Sequence, residues 1–369
     1  MRRTVLLALL LTSLLSAGYA WLDGWNYRIR IPLKYEGTED VYDIVANVTI
    51  PIANLVSNGY MYENCSDVRI TTDNDTLLPY VIEECSDVLK IKFKIPYFPA
   101  NSTQMFYIYI GNKDATVDLS DPTKVYLVYE NFDTDIFSNP PYYGTWGKIS
   151  GNPHVANGWL VNPLGADSYI ELNEPVTLTE NQGLRMYARF YSTGRGGYNY
   201  MSPSLKYLNI EDEVLGGWVW LPDGIHGWAV FGCPWTGKDI RVPAGYTYYT
   251  KVIHENFLRL RRLYRGFSDA EPELIHECYA QNIPLPNIVV KIGVWGPWSL
   301  EFKLDYLYIE KIVNPPLKLM SLPPGSPGTP ENPEEKPVPP TQPVQLDIRM
   351  LALVLLAFGA IAMLTREKG

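Results

Sequence analysis

Residues 89–95 read Leu-Lys-Ile-Lys-Phe-Lys-Ile, apolar and cationic in strict alternation. A period of two does not fit a helix, whose faces repeat every 3.6 residues; it requires a strand with one dry and one wet face. Tyr27, Ile29 and Ile31 alternate with Arg28 and Arg30 in the same way. Residues 105–110, apolar throughout, predict a core strand. Turn clusters at Thr72-Asp73-Asn74-Asp75 and Gly111-Asn112-Lys113-Asp114 divide these runs. Almost nothing has a helical period. The pattern predicts an all-β chain that opens with a β-sandwich over 21–124, immunoglobulin-like or related. Further strands are predicted at 184–191, 217–221, 246–253, 257–264, 288–294 and 300–309, with Gly and Pro between them. These suit a second sandwich over 125–316, a lectin-like jelly roll.

The ends carry a different logic. Arg2 and Arg3 precede an apolar run from Val5 to Leu15, and small residues surround Ala20. Residues 1–20 therefore predict a secretory signal peptide, too short in its apolar core to span a bilayer. Residues 317–343 read as a Pro-rich stalk. Residues 344–364 follow as a candidate transmembrane helix, with Asp347 and Arg349 near its outer end. A basic cytoplasmic tail, 365–369, closes the chain. Read together they predict a single-pass cell-membrane protein with its bulk outside.

An exported chain tolerates disulfides, and none of the four cysteines forms a C-x-x-C pair. Cys65 with Cys85 and Cys233 with Cys278 keep each bridge within one sandwich. Four glycosylation sequons, at Asn47, Asn64, Asn74 and Asn101, all fall in the first sandwich. The net charge of −9 argues against a nucleic-acid partner.

The opening Trp21-Leu-Asp-Gly-Trp25-Asn-Tyr27-Arg28 resembles the start of domain-of-unknown-function family 2341. Ser66-Asp67-Val68-Arg69-Ile70-Thr71, Leu77-Leu78-Pro79-Tyr80-Val81-Ile82-Glu83 and the stretch from Ile95-Pro96 to Tyr107-Ile108-Tyr109-Ile110-Gly111-Asn112 resemble its later strands, in order. That resemblance implies an extracellular, often multidomain, surface protein with no established activity. The second region is similar to concanavalin-like lectin/glucanase sandwiches at its two ends, Glu130-Asn131-Phe132-Asp133-Thr134-Asp135 and Leu304-Asp305-Tyr306-Leu307-Tyr308-Ile309.

A glucanase of that kind places carboxylates as E-x-D-x-E on one strand face. The chain has no such run, and Glu211-Asp212-Glu213 reads as a charged turn. No catalytic residue is nominated, and binding is expected in place of catalysis. Trp218, Trp220, Trp228 and Trp235 crowd one stretch with Asp223 and His226. Indole faces stack on sugar rings while neighbouring polar groups fix the hydroxyls, so these six residues are the candidate carbohydrate site. Arg259, Arg261, Arg262 and Arg265 make a basic strand, read as a solvated face paired with acidic neighbours. Glu130, Asp133, Asp135 and Asp305 are candidate ligands for a structural calcium ion, since first and last strands of a jelly roll are often neighbours. The expected function is a membrane-anchored surface protein that binds polysaccharide or a surface glycoprotein, adhesin-like. The alternatives are a structural envelope component without ligand and a glycoside hydrolase with a noncanonical site.

Overall fold

The computed structural model describes residues 21–133, 146–150, 154–162, 168–172, 176–193, 199–207, 214–220, 226–229, 248–257, 260–267, 271–279, 287–295, 301–320 and 330. They fall within one compact unit that ends at Pro330. Among them, regular structure is almost entirely antiparallel β.

The first seven strands are β1 (Tyr27–Tyr35), β2 (Val41–Pro51), β3 (Arg69–Thr72), β4 (Tyr80–Cys85), β5 (Val88–Phe98), β6 (Ser102–Ile110) and β7 (Val128–Glu130). Two short helices interrupt them, α1 (Ala53–Ser57) and α2 (Pro122–Val125). The start of α2 is dictated locally: Asp121 accepts the Thr123 amide at 3.0 Å, and Pro122 follows it at the position where a missing N–H costs nothing.

The later strands are β8 (Trp146–Ser150), β9 (His154–Ala156), β10 (Trp159–Asn162), β11 (Ser168–Leu172), β12 (Val176–Thr177), β13 (Gln182–Thr193) and β14 (Asn199–Tyr207). After them come β15 (Val214–Trp220), β16 (His226–Ala229), β17 (Tyr248–Phe257), β18 (Leu260–Phe267), β19 (Glu273–Tyr279), β20 (Asn287–Trp295), β21 (Glu301–Val313) and β22 (Lys318–Leu319). The six strands predicted for the second region correspond to β13, β15, β17, β18, β20 and β21.

Four sheets result. The first sandwich has a four-stranded sheet, β22-β1-β6-β3, and a three-stranded sheet, β2-β5-β4. Its core takes Ile29 and Ile31 from β1, Leu89, Ile91, Phe93 and Ile95 from β5, and Phe106 and Ile108 from β6. Those of β1 and β5 are the apolar members of the alternations in the sequence and those of β6 come from its continuous apolar run, each fully buried side chain stabilising by about 1.5–3 kcal/mol. The second region has an eight-stranded sheet, β19-β18-β17-β13-β21-β10-β9, with β7 joined to β21. A seven-stranded sheet, β16-β15-β14-β20-β11-β8, has β12 joined to β20.

The chain returns to its beginning. Residues 317–320, expected to open the stalk, instead carry β22, which pairs with β1 at Leu33↔Leu319 and Lys34↔Lys318. Lys318 and Lys34 both engage Glu36 there, which holds the Glu36 carboxyl down at about 2. The expected signal peptide and transmembrane segment lie outside the described residues, among which no helix is long and apolar enough to cross a membrane.

Candidate functional site

The eight-stranded sheet has two unlike faces. One buries Leu184, Met186 and Ala188 of β13 with Leu307 and Ile309 of β21. Side chains alternate across a strand, so the intervening residues share the opposite face. Register lays them out in rows. Glu310 pairs with Arg185, Arg185 with Glu255, Glu255 with Arg262, and Arg262 with Glu277. Five adjacent strands thus carry alternating charges at one level.

The contacts follow the register. Arg185 reaches Glu310 at 3.1 Å and Glu255 at 2.6 Å; Arg262 reaches Glu255 at 3.3 Å and Glu277 at 2.6 Å. The ladder continues into the first sandwich through Lys92 of β5, whose Nζ lies 3.2 Å from Glu310 Oε2 and 2.9 Å from Glu83 Oε1. Lys92 also donates to the Tyr187 hydroxyl at 3.1 Å. Lys92 and Glu310 are only 2% and 1% exposed. Burial opposes the charge on Lys92, but Glu310, Tyr187, Tyr126 and Glu83 outweigh it and hold the ammonium above its ordinary pKa.

Three of the four oxygens of the two buried carboxylates accept hydrogen bonds, and the fourth, Glu310 Oε2, has an ion pair alone. Glu255 Oε1 accepts from Arg185, and Oε2 from Arg262 and Tyr264. Glu310 Oε1 accepts from Arg185 and Tyr187, while Oε2 faces Lys92. Beside this ladder runs an aromatic row. Tyr129, Tyr308 and Tyr187 are register partners across β7, β21 and β13. Tyr129 and Tyr308 stack at 4.8 Å and 9°, and Tyr306 stacks on Tyr308 at 4.8 Å and 10°. All three are half-buried, and Arg189 bonds Asp305 at 3.1 Å beside them. Burial raises the Tyr306 and Tyr308 hydroxyl pKa values. These hydroxyls are neutral donors and acceptors at physiological pH.

The sequence-predicted carbohydrate residues are partly gathered elsewhere. β15 and β16 pair so that Trp218 stands opposite Trp228 and Trp220 opposite His226. Asp223 and Trp235 lie outside the described residues. For the calcium set, β7 does lie beside β21, as a first-and-last-strand neighbourhood requires. Asp305, however, is committed to Arg189, and Asp133 accepts from Asn131 at 2.6 Å. Asp135 lies outside the described residues, among which no three His, Cys, Asp or Glu side chains gather as a metal site. Cys65 and Cys85 are bonded, with their Cα atoms 6.2 Å apart. Cys278 is also disulfide-bonded; its expected partner, Cys233, lies outside the described residues. Arg262 of the basic strand is paired with acidic neighbours, as its reading anticipated.

The motif residues of the first sandwich are occupied in holding it together. Asp67, wholly buried, accepts the Tyr62 and Gly111 amides at 3.0 and 2.7 Å. Gly111 has φ +80°, and a Cβ there would meet the Tyr27 ring at 2.8 Å and Tyr60 O at 2.9 Å, so glycine is required. The Arg69 guanidinium donates to the carbonyls of Ser66, Val68 and Val117 and to the Tyr80 hydroxyl. Arg28 lies 4.5 Å from the Trp21 ring centroid and 4.0 Å from that of Tyr107, cation–π contacts that close over the outer face of the four-stranded sheet.

Sequence reading missed Lys92, Arg185, Glu255 and Glu310. Lys92 and Arg185 stand at polar positions of predicted strands, Glu255 and Glu310 fall just past the predicted ends of theirs, and only the strand pairing reveals that Arg185, Glu255 and Glu310 lie in one row.

Residues 64–148 match the family described as Domain of unknown function (DUF2341). That span takes in three of the four motifs noted above and begins after Trp21–Arg28. No curated protein matches the chain. Similar solved structures include the Lotus tetragonolobus seed lectin, at 11% identity over 46% of this chain and 94% of the lectin, TM-score 0.31. A β-1,3-glucanase from Mycobacterium marinum matches at 12% identity over 50% of this chain and 98% of that one, TM-score 0.36. Trypanosoma rangeli sialidase matches at 11% over 65% and 41%, TM-score 0.37. No residue role passes from them to this chain.

Proposed function

We propose that the chain is an exported, membrane-anchored surface protein that binds a glycan, free or on another envelope component, without transforming it. One observation carries the choice of binding over catalysis. Glycoside hydrolysis needs one carboxyl free to give a proton and another free to attack or activate water. On the polar face of the eight-stranded sheet, Glu255 and Glu310 are each fixed between two cations, with both oxygens engaged. The half-buried tyrosines 129, 306 and 308, beside the Arg189–Asp305 pair, instead offer ring edges and hydroxyls. That combination suits a sugar, whose hydroxyls need donors and acceptors while its C–H faces need apolar surface.

The cross-strand register of Trp218 with Trp228 and of Trp220 with His226 supports a second contact surface on β15 and β16. A glycan array followed by titration calorimetry tests the reading. Tyr306→Ala and Tyr308→Ala should each weaken binding about tenfold, equivalent to about 1.4 kcal/mol. Trp228→Ala reports separately on the β15–β16 surface. Failure of the intact protein to bind any envelope or plant polysaccharide sinks the proposal. Co-purification in a stoichiometric surface complex without sugar affinity would favour the structural alternative. Release of reducing sugar, abolished by a single Asp or Glu change, would favour the hydrolase.

A further inference from the structure

The four sequons of the first sandwich are unequal once folded. Asn47, Asn64, Asn74 and Asn101 are all exposed. What differs is the hydroxyl two residues on, the second element of the acceptor motif. Thr49, Thr76 and Thr103 are exposed, whereas Ser66 is only 4% exposed.

Local structure widens the difference. Asn74 sits in the turn closed by Thr72 N to Thr76 O at 3.0 Å; its Oδ1 accepts from the hydroxyls of Thr72 and Thr76. Asn101 lies in the short link between β5 and β6, with φ +43°. Asn47 lies on β2, an edge of its sheet with one hydrogen-bonded neighbour strand. Asn64 is held otherwise. The middle residue of its sequon, Cys65, is buried and bonded to Cys85. Asn64 Oδ1 accepts the Ser66 amide at 3.1 Å, and Arg69 donates to the Ser66 carbonyl at 3.0 Å.

We propose that Asn47, Asn74 and Asn101 carry N-linked oligosaccharides and that Asn64 stays bare. The transfer forms a bond between asparagine Nδ2 and the anomeric carbon of a lipid-phosphate-linked oligosaccharide. The bond from that carbon to the phosphate oxygen breaks, and the lipid phosphate leaves with the electron pair. One amide proton passes to a base of the transferase. At the three threonine sites the asparagine and the threonine two residues on are both exposed, so a transferase can reach both. At Asn64 the disulfide, the Asx turn and the Arg69 bond hold the serine hydroxyl inside.

Glycopeptide mapping and intact mass of the full chain, purified from its own cells, test this. Thr49→Ala, Thr76→Ala and Thr103→Ala remove each sequon while leaving its asparagine in place, which matters at Asn101 with its positive φ. Each should lose the mass of one glycan, and Ser66→Ala should lose none. A glycan on Asn64, or bare asparagine at two or more of the threonine sites, overturns the proposal.

Discussion

Lys92 shows where reading at the residue scale stops. The alternation in β5 assigns Lys90, Lys92 and Lys94 to one polar face, and that much is correct. Alternation identifies the polar face but not what lies on it, and the second region covers Lys92 while leaving Lys90 exposed. Arg28 is the parallel case: a wet position in β1 that Trp21 and Tyr107 enclose. Lys92→Met should destabilise the fold by about 3–5 kcal/mol, because it strips one cation from the buried Glu310. Urea midpoints of the two proteins, with unchanged m, would check this. Tyr109 gives a pH prediction. Burial, with its hydrogen bond to Asp75, pushes this hydroxyl up to about 12 against the opposing pull of Arg28. The folded pKa exceeds the unfolded value near 10, so the stabilisation is whole below pH 10 and drains away as pH rises through about 12. Tyr109→Phe should flatten the loss of stability between pH 10 and 12, read from urea midpoints across that range.

At the scale of elements, strands with strict alternation or continuous apolar character were legible, and short ones were not. β22 is two residues long and follows closely on Pro315 and Pro316, so only its pairing with β1 makes it a strand. The polar ladder was illegible for another reason. Arg185, Glu255, Arg262, Glu277 and Glu310 lie on five strands, and their meeting depends on a register that the sequence does not print. The Cys65–Cys85 link was legible from spacing and compartment alone. It ties the loop before β3 to the end of β4 across a separation of 20 residues. By the chain-entropy estimate such a closure contributes roughly 3 kcal/mol. A Cys65→Ser/Cys85→Ser variant should therefore melt well below the parent, while reductant should lower the parent's melting temperature at least as far, since it also opens the bridge at Cys278.

For the whole molecule, the question is whether the first sandwich behaves as an independent spacer. Its contacts say otherwise. Gln182, at the start of β13, donates to the Tyr42 carbonyl at 2.6 Å. Lys92 crosses to Glu310, and β22 completes the four-stranded sheet. Val313, at the end of β21, is buried in the first core, and Leu317 packs against it. Apolar plugs, a buried ion ladder and a shared sheet each make one part's unfolding costly for the other, which is the condition for a single cooperative transition. Calorimetry of the intact protein should show one endotherm over residues 21–320. Val313→Ala with Leu317→Ala removes the plugs without touching the ladder or the polar face. Buried large-to-small changes cost about 2–5 kcal/mol, less at the partly exposed Leu317, and here the loss falls on the junction. The double variant should broaden or split that endotherm. Two well-separated transitions in the unmodified protein would mean that the sandwiches fold apart and that Lys92 merely decorates their junction.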